Sequence, residues 1–445
     1  MLSIRGHAKE TFLLAYPVMI GQVGVIMMGV VDSIMVGGVG ATPLAAASLA
    51  NSLFILMLII GLGISYAVTP LVAISIGANK VSECNVLYSQ SFIINIVVGF
   101  LLMAATFILA DLIKYLNQPA EVARQAVSYT RILGYSMIPG MIFQTYKQFI
   151  EGLSIMRPAM VITLAANIIN GIVNWILVYG RYGFPRLELD GAGWATFSSR
   201  VFMGLAIMLY MLKSKRFASY GLKLNLSQLN FTVIKKILGL GVPSAVQYIF
   251  EVGAFSCAVI MVGWLGTTQL AAHQIAINLA SISFMAALGI SSAGAIRVGT
   301  SVGKQNVKEV RKAGFTAIAL GASLMATCGV LFIILRRFLP SLYISDPATI
   351  SYASSLLIIA ALFQISDGTQ AVGIGVLRGL TDVKGPTLIT FIAYWVLALP
   401  TGYILGFTFH LQVVGVWIGL LIGLTASATL LTLRFNKKST HLISV

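Results

Sequence analysis

From Phe12 to Val31 the chain runs through twenty residues whose only side chains beyond aliphatic and aromatic ones are Tyr16 and Gln22, and the run then meets the carboxylate of Asp32. Roughly twenty apolar residues are the length of a helix across a bilayer. The same pattern recurs along the whole chain. Apolar runs between charged or Pro/Gly-rich breaks predict twelve spans, at 11–35, 45–76, 89–111, 127–150, 158–180, 191–212, 233–262, 270–299, 313–335, 349–376, 385–407 and 412–434. The second, seventh and eighth are long enough to tilt or bend. The alternating ten-residue pattern of an outer-membrane barrel is absent, so the expected fold class is an all-α polytopic membrane protein. The basic head at Arg5 and Lys9 resembles that of a signal peptide, but the apolar run exceeds a signal core and has no small-residue cleavage site, which predicts a retained first helix.

A second pattern lies over the first. At an offset of 226, IMVGGVGATPLAA (34–46) matches IMVGWLGTTQLAA (260–272) at nine of thirteen positions, and the same register pairs Pro17 with Pro243, Gly63 with Gly289, Gly77 with Gly303 and Glu83 with Glu309. One register held over this length is an internal repeat. Six spans per half is an even number, so the two repeats are parallel and form two lobes related by an axis along the membrane normal, an architecture common among transporters. The expected organisation is an N-lobe of residues 1–212, a cytoplasmic linker of 213–232 and a C-lobe of 233–445. The linker holds two glycosylation-like triplets, starting at Asn225 and Asn230, that would carry no meaning on the cytoplasmic side.

Composition narrows the partners. The chain is 58% hydrophobic and only 9% charged, with a formal net charge of +16. The basic residues are spread over short loops, so they report topology and not nucleic-acid binding. The loops on the N-terminal side, with both termini, hold 21 of the 29 Lys and Arg, which by the positive-inside rule puts both termini in the cytoplasm. Cys84, Cys257 and Cys328 show neither CxxC spacing nor a neighbouring His cluster and read as packing residues. There is no Walker A sequence, no HExxH and no GxSxG, so ATP hydrolysis and embedded hydrolase chemistry are not expected.

Three acids stand inside apolar spans: Asp32, Glu251 and Asp367. A charged side chain at the bilayer centre costs about 2.5–3.5 kcal/mol even on lenient scales, and is kept where it faces a cavity or a partner. Each is either neutralised structurally or used for ion coupling, since a carboxylate in a low-dielectric cavity can titrate near neutral pH or hold a bare cation. In the repeat register Asp32 falls on Ala258 and Glu251 on Val25, so the lobes share a scaffold but place their acids differently. In the fifth span Asn167, Asn170 and Asn174 share a helix face, and Thr196 follows in the sixth. Their oxygens suit a hard cation such as Na+; interhelical hydrogen bonding is the alternative. In the second lobe Gln247 and Glu251 are four apart, Gln274, Asn278 and Ser281 form a stripe, and Gln364 and Asp367 are three apart, a set that would line a second polar cavity or a helix interface. His273 reads as a packed or capping residue. Arg200, inside the sixth span, either pairs with an acid or snorkels.

The segments VVDSIMVGGVGATPLAAAS, EVGAFSCAVIMVGWLGTTQLAAHQIAINLAS, SDGTQAVGIGVLRGLTDVKGP and YWVLALPTGYILG together resemble the multidrug and toxic compound extrusion (MATE) family, in particular its NorM-like branch. The resemblance covers nearly the whole chain. It implies a twelve-helix secondary antiporter of two lobes in the inner membrane, exporting drugs and other organic cations in exchange for Na+ or H+, with no other cofactor and expected to work as a monomer. Carried over, the N-lobe cation site would be Asp32, Asn170, Asn174 and Thr196, and the C-lobe site Glu251 and Asp367, with Gln247, Gln274, Asn278 and Phe363 as cavity-lining residues. Sodium-coupled relatives commonly carry a tyrosine one turn before the Asp367 position. Here Phe363 stands there, which favours the N-lobe site, or protons, for coupling. Two competing expectations are a lipid-linked precursor flippase of the same superfamily and, from another class, a membrane-embedded enzyme or channel.

Overall fold

The computed structural model describes residues 3–220, 224 and 229–441, and among these every regular element is helical. The first half contains α1 (Ile4–Gly37), α2 (Ala41–Ser65), α3 (Val68–Gly77), α4 (Val81–Leu112), α5 (Ala120–Tyr135), α6 (Met137–Gly152), α7 (Arg157–Tyr179) and α8 (Glu188–Lys213). The second contains α9 (Phe231–Gly263), α10 (Thr267–Gly303), α11 (Val307–Ile334), the short α12 (Phe338–Ser341), α13 (Pro347–Gly379), α14 (Lys384–Phe391), α15 (Leu399–Tyr403) and α16 (Gln412–His441). Among the described residues eleven helical stretches are long and apolar enough to cross a membrane. The α5–α6 pair supplies the twelfth span, so the chain is an all-α membrane protein of twelve spans in two repeats. The triplet at Asn225 lies outside the described residues. Asn230 serves as the cap of α9, its Oδ1 accepting from the Val233 backbone N–H at 3.1 Å.

Three spans are interrupted, and proline explains each. Pro70 and Pro139 occupy the third position of α3 and α6. Lacking an N–H, each cannot donate back to the carbonyl four residues earlier, at Tyr66 or Tyr135, and the helix breaks there. Pro400 acts similarly in the eleventh span, where the backbone widens into π-helical turns at Ile392–Ala398 and Ile404–Thr408. The Leu399 N–H there reaches the Tyr394 carbonyl, five residues back. This loosened span is held by close backbone contact with α16. A Cβ on Gly419 would lie 2.4 Å from Gly402 Cα, and one on Gly415 2.5 Å from Gly406 N, so only glycine permits the approach.

The chain divides into two compact units, Ile20–Ala245 (the N unit) and Met1–Met19 with Val246–Val445 (the C unit). The boundaries therefore fall inside α1 and α9, shortly after Pro17 and Pro243, and not in the 213–232 connection. The repeat register explains the position, because residue 20 and residue 246 are 226 apart. In the N unit the start of α9 packs on α2: a Cβ on Gly63 would lie 2.4 Å from Ala245 Cα, and one on Gly241 2.8 Å from the Ile64 carbonyl oxygen. In the C unit the start of α1 packs on α10: a Cβ on Gly289 would meet Met19 Cγ at 2.3 Å and the Ala15 carbonyl at 3.0 Å. Gly63 and Gly289 are repeat partners, as are Ala245 and Met19, so both repeats preserve one close contact.

The C unit adds a charged cluster to that contact. Arg297 of α10 donates through Nη1 to the His7 carbonyl (2.6 Å) and Thr11 Oγ1 (2.8 Å), and through Nη2 to Glu10 (2.9 Å). The fully buried His7 ring lies 3.1 Å from the Glu309 carboxylate of α11. The register places Val233 and Leu71 opposite His7 and Arg297, so the N unit has no counterpart.

Candidate functional site

In the N unit, the part of α1 that follows Met19 lies along α7. Gly24 makes room for Asn167 and Thr163, and Gly38 for the Tyr179 hydroxyl, which donates to the Met35 carbonyl at 2.9 Å. The buried stripe of α7, Ala159, Thr163, Ala166, Asn170, Asn174 and Val178, recurs every three or four residues, so Asn170 and Asn174 point the same way. At its far end α7 is met by the start of α8, where a Cβ on Gly191 would lie 2.7 Å from the Leu177 carbonyl carbon. That approach brings Thr196 to the same place.

Asp32 is 8% exposed, and both of its oxygens are engaged. Asn174 Nδ2 donates to Asp32 Oδ1 at 2.6 Å and to Asn170 Oδ1 at 3.1 Å, and Thr196 Oγ1 donates to Asp32 Oδ2 at 2.9 Å. Asn174 Oδ1 is buried and has no hydrogen-bond partner among the described residues. Four oxygen-bearing side chains with a single carboxylate thus converge, a donor set suited to one hard cation. Asn167, the third member of the stripe, stands apart and donates to the Thr163 carbonyl at 3.0 Å. Arg200 forms no salt bridge among the described residues: it donates to Ser136 Oγ at 3.0 Å, lies 4.9 Å over the Phe54 ring, and stays within electrostatic reach of Asp32 and of buried Tyr129. A separate groove of about 690 Å³, lined by Tyr135, Pro139, Trp194, Phe197 and their apolar neighbours, contains none of these polar groups.

The C unit builds its polar interior differently. Glu251, Asp367, Gln247, Gln364 and Gln370 are all buried, and Asp367 is within electrostatic reach of Glu251. Gln370 Nε2 donates to Glu251 Oε1 at 3.2 Å and to the Tyr394 hydroxyl at 2.8 Å, while the Tyr394 hydroxyl donates to Gln370 Oε1 at 3.1 Å. Gln364 donates to Ser283 Oγ. Gln274, Asn278 and Ser281 are exposed on α10, with Gln274 donating to Asn278 at 3.3 Å, and do not join this network. Phe363 is 1% exposed and stacks on Trp417, ring centroids 5.3 Å apart. His273 is a packing residue whose Nδ1 accepts from Trp417 Nε1 at 3.0 Å. Sequence reasoning did not single out Gln370 or Tyr394. The available signal was spacing, since Gln364, Asp367 and Gln370 recur every three residues along α13. Among the described residues no group of three or more His, Cys, Asp or Glu is gathered to hold a metal ion.

Comparison with known proteins converges on one family. The family model described as MatE matches this chain twice, over residues 17–176 and 243–404, so that each match starts at a repeat-related proline. Multidrug resistance protein MdtK of Yersinia pseudotuberculosis (serotype O:1b, strain IP 31758) is 36% identical over 435 residues, covering 97% of this chain and 95% of that protein. The protein of the same name from Pectobacterium atrosepticum is 36% identical over 436 residues, with the same shares covered. In fold, the chain is similar to the eukaryotic MATE transporter AtDTX14, with a TM-score of 0.89 at 21% identity over 99% of this chain and 98% of that one. A multidrug resistance MATE transporter of the MOP superfamily in an outward-facing conformation gives 0.90 at 21% identity over the same shares. With a twice-matched family model and full-length relatives at this identity, the chain belongs to the MatE family.

Proposed function

We propose that this protein is a secondary active multidrug exporter that moves organic, mostly cationic, drugs and toxic compounds out of the cell in exchange for Na+ or H+ by alternating access. It is a transporter and not an enzyme. The observation that carries the reading is Asp32, a carboxylate inside a membrane span, buried and hydrogen-bonded by Asn174 and Thr196 from two other spans. A structural acid would be served as well by those bonds alone. The free oxygen of Asn174 beside it is the additional feature, because it gives an incoming cation a ligand that no donor occupies.

The coupling ion is a co-substrate. Na+ bound at Asp32 would be held by oxygens of Asp32, Asn170, Asn174 and Thr196, and a proton would reside on Asp32 itself. Either event neutralises the carboxylate and weakens its claim on the Asn174 and Thr196 donors. Helix α1 then changes its preferred packing on α7, and the bound drug is released outward. Each charge carried inward across the membrane supplies about 2.3 kcal/mol per 100 mV. Glu251 and Asp367 form the second cation-responsive site, in the C unit. The full-length relationship to proteins named for multidrug resistance supports the substrate class. Placement in the inner membrane with both termini cytoplasmic, operation as a monomer and independence from ATP complete the proposal.

The test is drug accumulation in everted vesicles with Na+ and H+ gradients imposed separately. Accumulation driven by Na+ alone is expected if the oxygen set at Asp32 holds the ion, and accumulation driven by H+ alone if the carboxylates titrate. No accumulation under either gradient would overturn the proposal.

A further inference from the structure

We infer that Gln370 and Tyr394 are positioning residues for Glu251, and that together they set the response of the C unit to its coupling cation. The inference rests on the reading of Glu251 as a cation-responsive group. Gln370 and Tyr394 are both fully buried. Burying an amide and a phenol costs stability unless every donor is used, and here the arrangement uses all of them. The two hydrogens of Gln370 Nε2 go to Glu251 and to the Tyr394 oxygen, and the Tyr394 hydrogen returns to Gln370 Oε1. This closed pattern leaves the amide only one orientation. A charged Glu251 can only accept, so Gln370 presents its donor there, and Tyr394, bonded to both ends of the amide, holds it in place.

The backbone around Tyr394 fits this role. Tyr394 lies in the π-helical turn Ile392–Ala398, and its carbonyl takes the long bond from Leu399; such turns are frequent at functional sites. Its neighbour Trp395 donates from Nε1 to the carbonyl of Phe250, the residue before Glu251, at 2.9 Å. The π turn is thus tied to α9 at consecutive residues, directly at Phe250 and through Gln370 at Glu251. The ionisable groups that bear on one another here are Glu251 of α9, Asp367 of α13 and Tyr394 itself. A charged Glu251 attracts the Gln370 donor strongly and a neutralised one weakly, because charge-assisted hydrogen bonds are about twice as strong as neutral ones. Cation binding at Glu251 is thereby felt at Tyr394, in the most loosely wound span of the unit.

The experiment uses the purified full-length protein in proteoliposomes, measuring drug transport against Na+ concentration and against pH, together with half-saturation for the drug. Glu251→Gln is the control for the underlying reading and should flatten the C-unit part of the cation dependence. Gln370→Met and Tyr394→Phe keep the shape of the core and remove the donor or its support. The cation midpoint is expected to shift by about threefold to tenfold in each, more in Gln370→Met than in Tyr394→Phe, as loss of one hydrogen bond predicts. Drug half-saturation should stay unchanged. For protons the midpoint moves to higher pH, because removing a donor disfavours the charged carboxylate. If Glu251→Gln leaves the cation dependence intact, the reading of Glu251 fails. If Glu251→Gln alters it and the other two variants move only thermal stability, the positioning role alone is overturned.

Discussion

The two units carry one scaffold and two different electrostatic designs. The N unit sets Asp32 midway along the packing of α1 on α7, surrounded by neutral donors and with the guanidinium of Arg200 within reach. The C unit sets two acids inside its spans, Glu251 and Asp367, within reach of each other, with Glu251 braced by an amide and a phenol. Duplication preserved what packing requires, such as the glycine contacts at Gly63 and Gly289, and did not preserve what charge requires. Two carboxylates sharing an interior favour capture of one positive charge, whereas an acid already facing a fixed cation binds a second cation less readily. In the proposed transport cycle the two units take different tasks.

The strongest way to break that comparison is to neutralise the acids one at a time. Asp32→Asn should lower drug transport by more than about tenfold at normal membrane expression, since a coupling charge worth at least ~1.4 kcal/mol is removed. Full activity in Asp32→Asn would remove the N unit from the coupling scheme. Asn174→Ala is expected to reduce transport by about tenfold, the value of one hydrogen bond to a charged group, and to do so mainly by weakening cation dependence. Arg200→Gln sharpens the contrast from the other side. Removing the fixed charge should tighten the cation midpoint by about threefold to tenfold, and an unchanged midpoint would mean that Arg200 only packs against Phe54 and Ser136. Gly63→Val and Gly289→Val test the shared scaffold. Each should destabilise the detergent-solubilised protein by about 1–3 kcal/mol through overpacking, and unequal melting shifts would show that the charged cluster at His7 and Arg297 protects one copy of the contact. The smallest effect belongs to Phe363→Tyr, expected to move the Na+ midpoint by less than about threefold because its ring is committed to Trp417.

Much of this was legible before any coordinates. An acid in an apolar run is conspicuous, and Asn170 and Asn174 declare a shared helix face by their spacing. What periodicity could not supply was the meeting of three spans at Asp32, which family resemblance anticipated and the close approaches at Gly24 and Gly191 now account for. Tyr394 escaped notice because a tyrosine in YWVLALP looks like one more aromatic of a membrane span, and its hydroxyl matters only once Gln370 is placed beside it. The breaks at Tyr66 and Ser136 had a visible cause in Pro70 and Pro139, yet the apolar pattern runs through both without a pause. The division of α1 and α9 between units was the least legible feature. The apolar pattern runs on through Met19 and Val246 without a break, and the paired prolines mark a position without saying what packs on either side of it.

That division bears on how the protein is made. Residues 4–19 are synthesised before the rest of the described chain, and their packing partners Gly289, Arg297 and Glu309 emerge some 270 to 300 residues later. Until α10 and α11 are inserted, the buried His7 and its neighbours have nowhere to go, and the opening segment waits beside an incomplete bundle. Contacts so distant in sequence form slowly and leave surface exposed in the interim. Assembly of the C unit is therefore completed by a segment made before the whole N unit, and co-expressed fragments divided at the 213–232 connection would each lack one half-helix that only the other can provide.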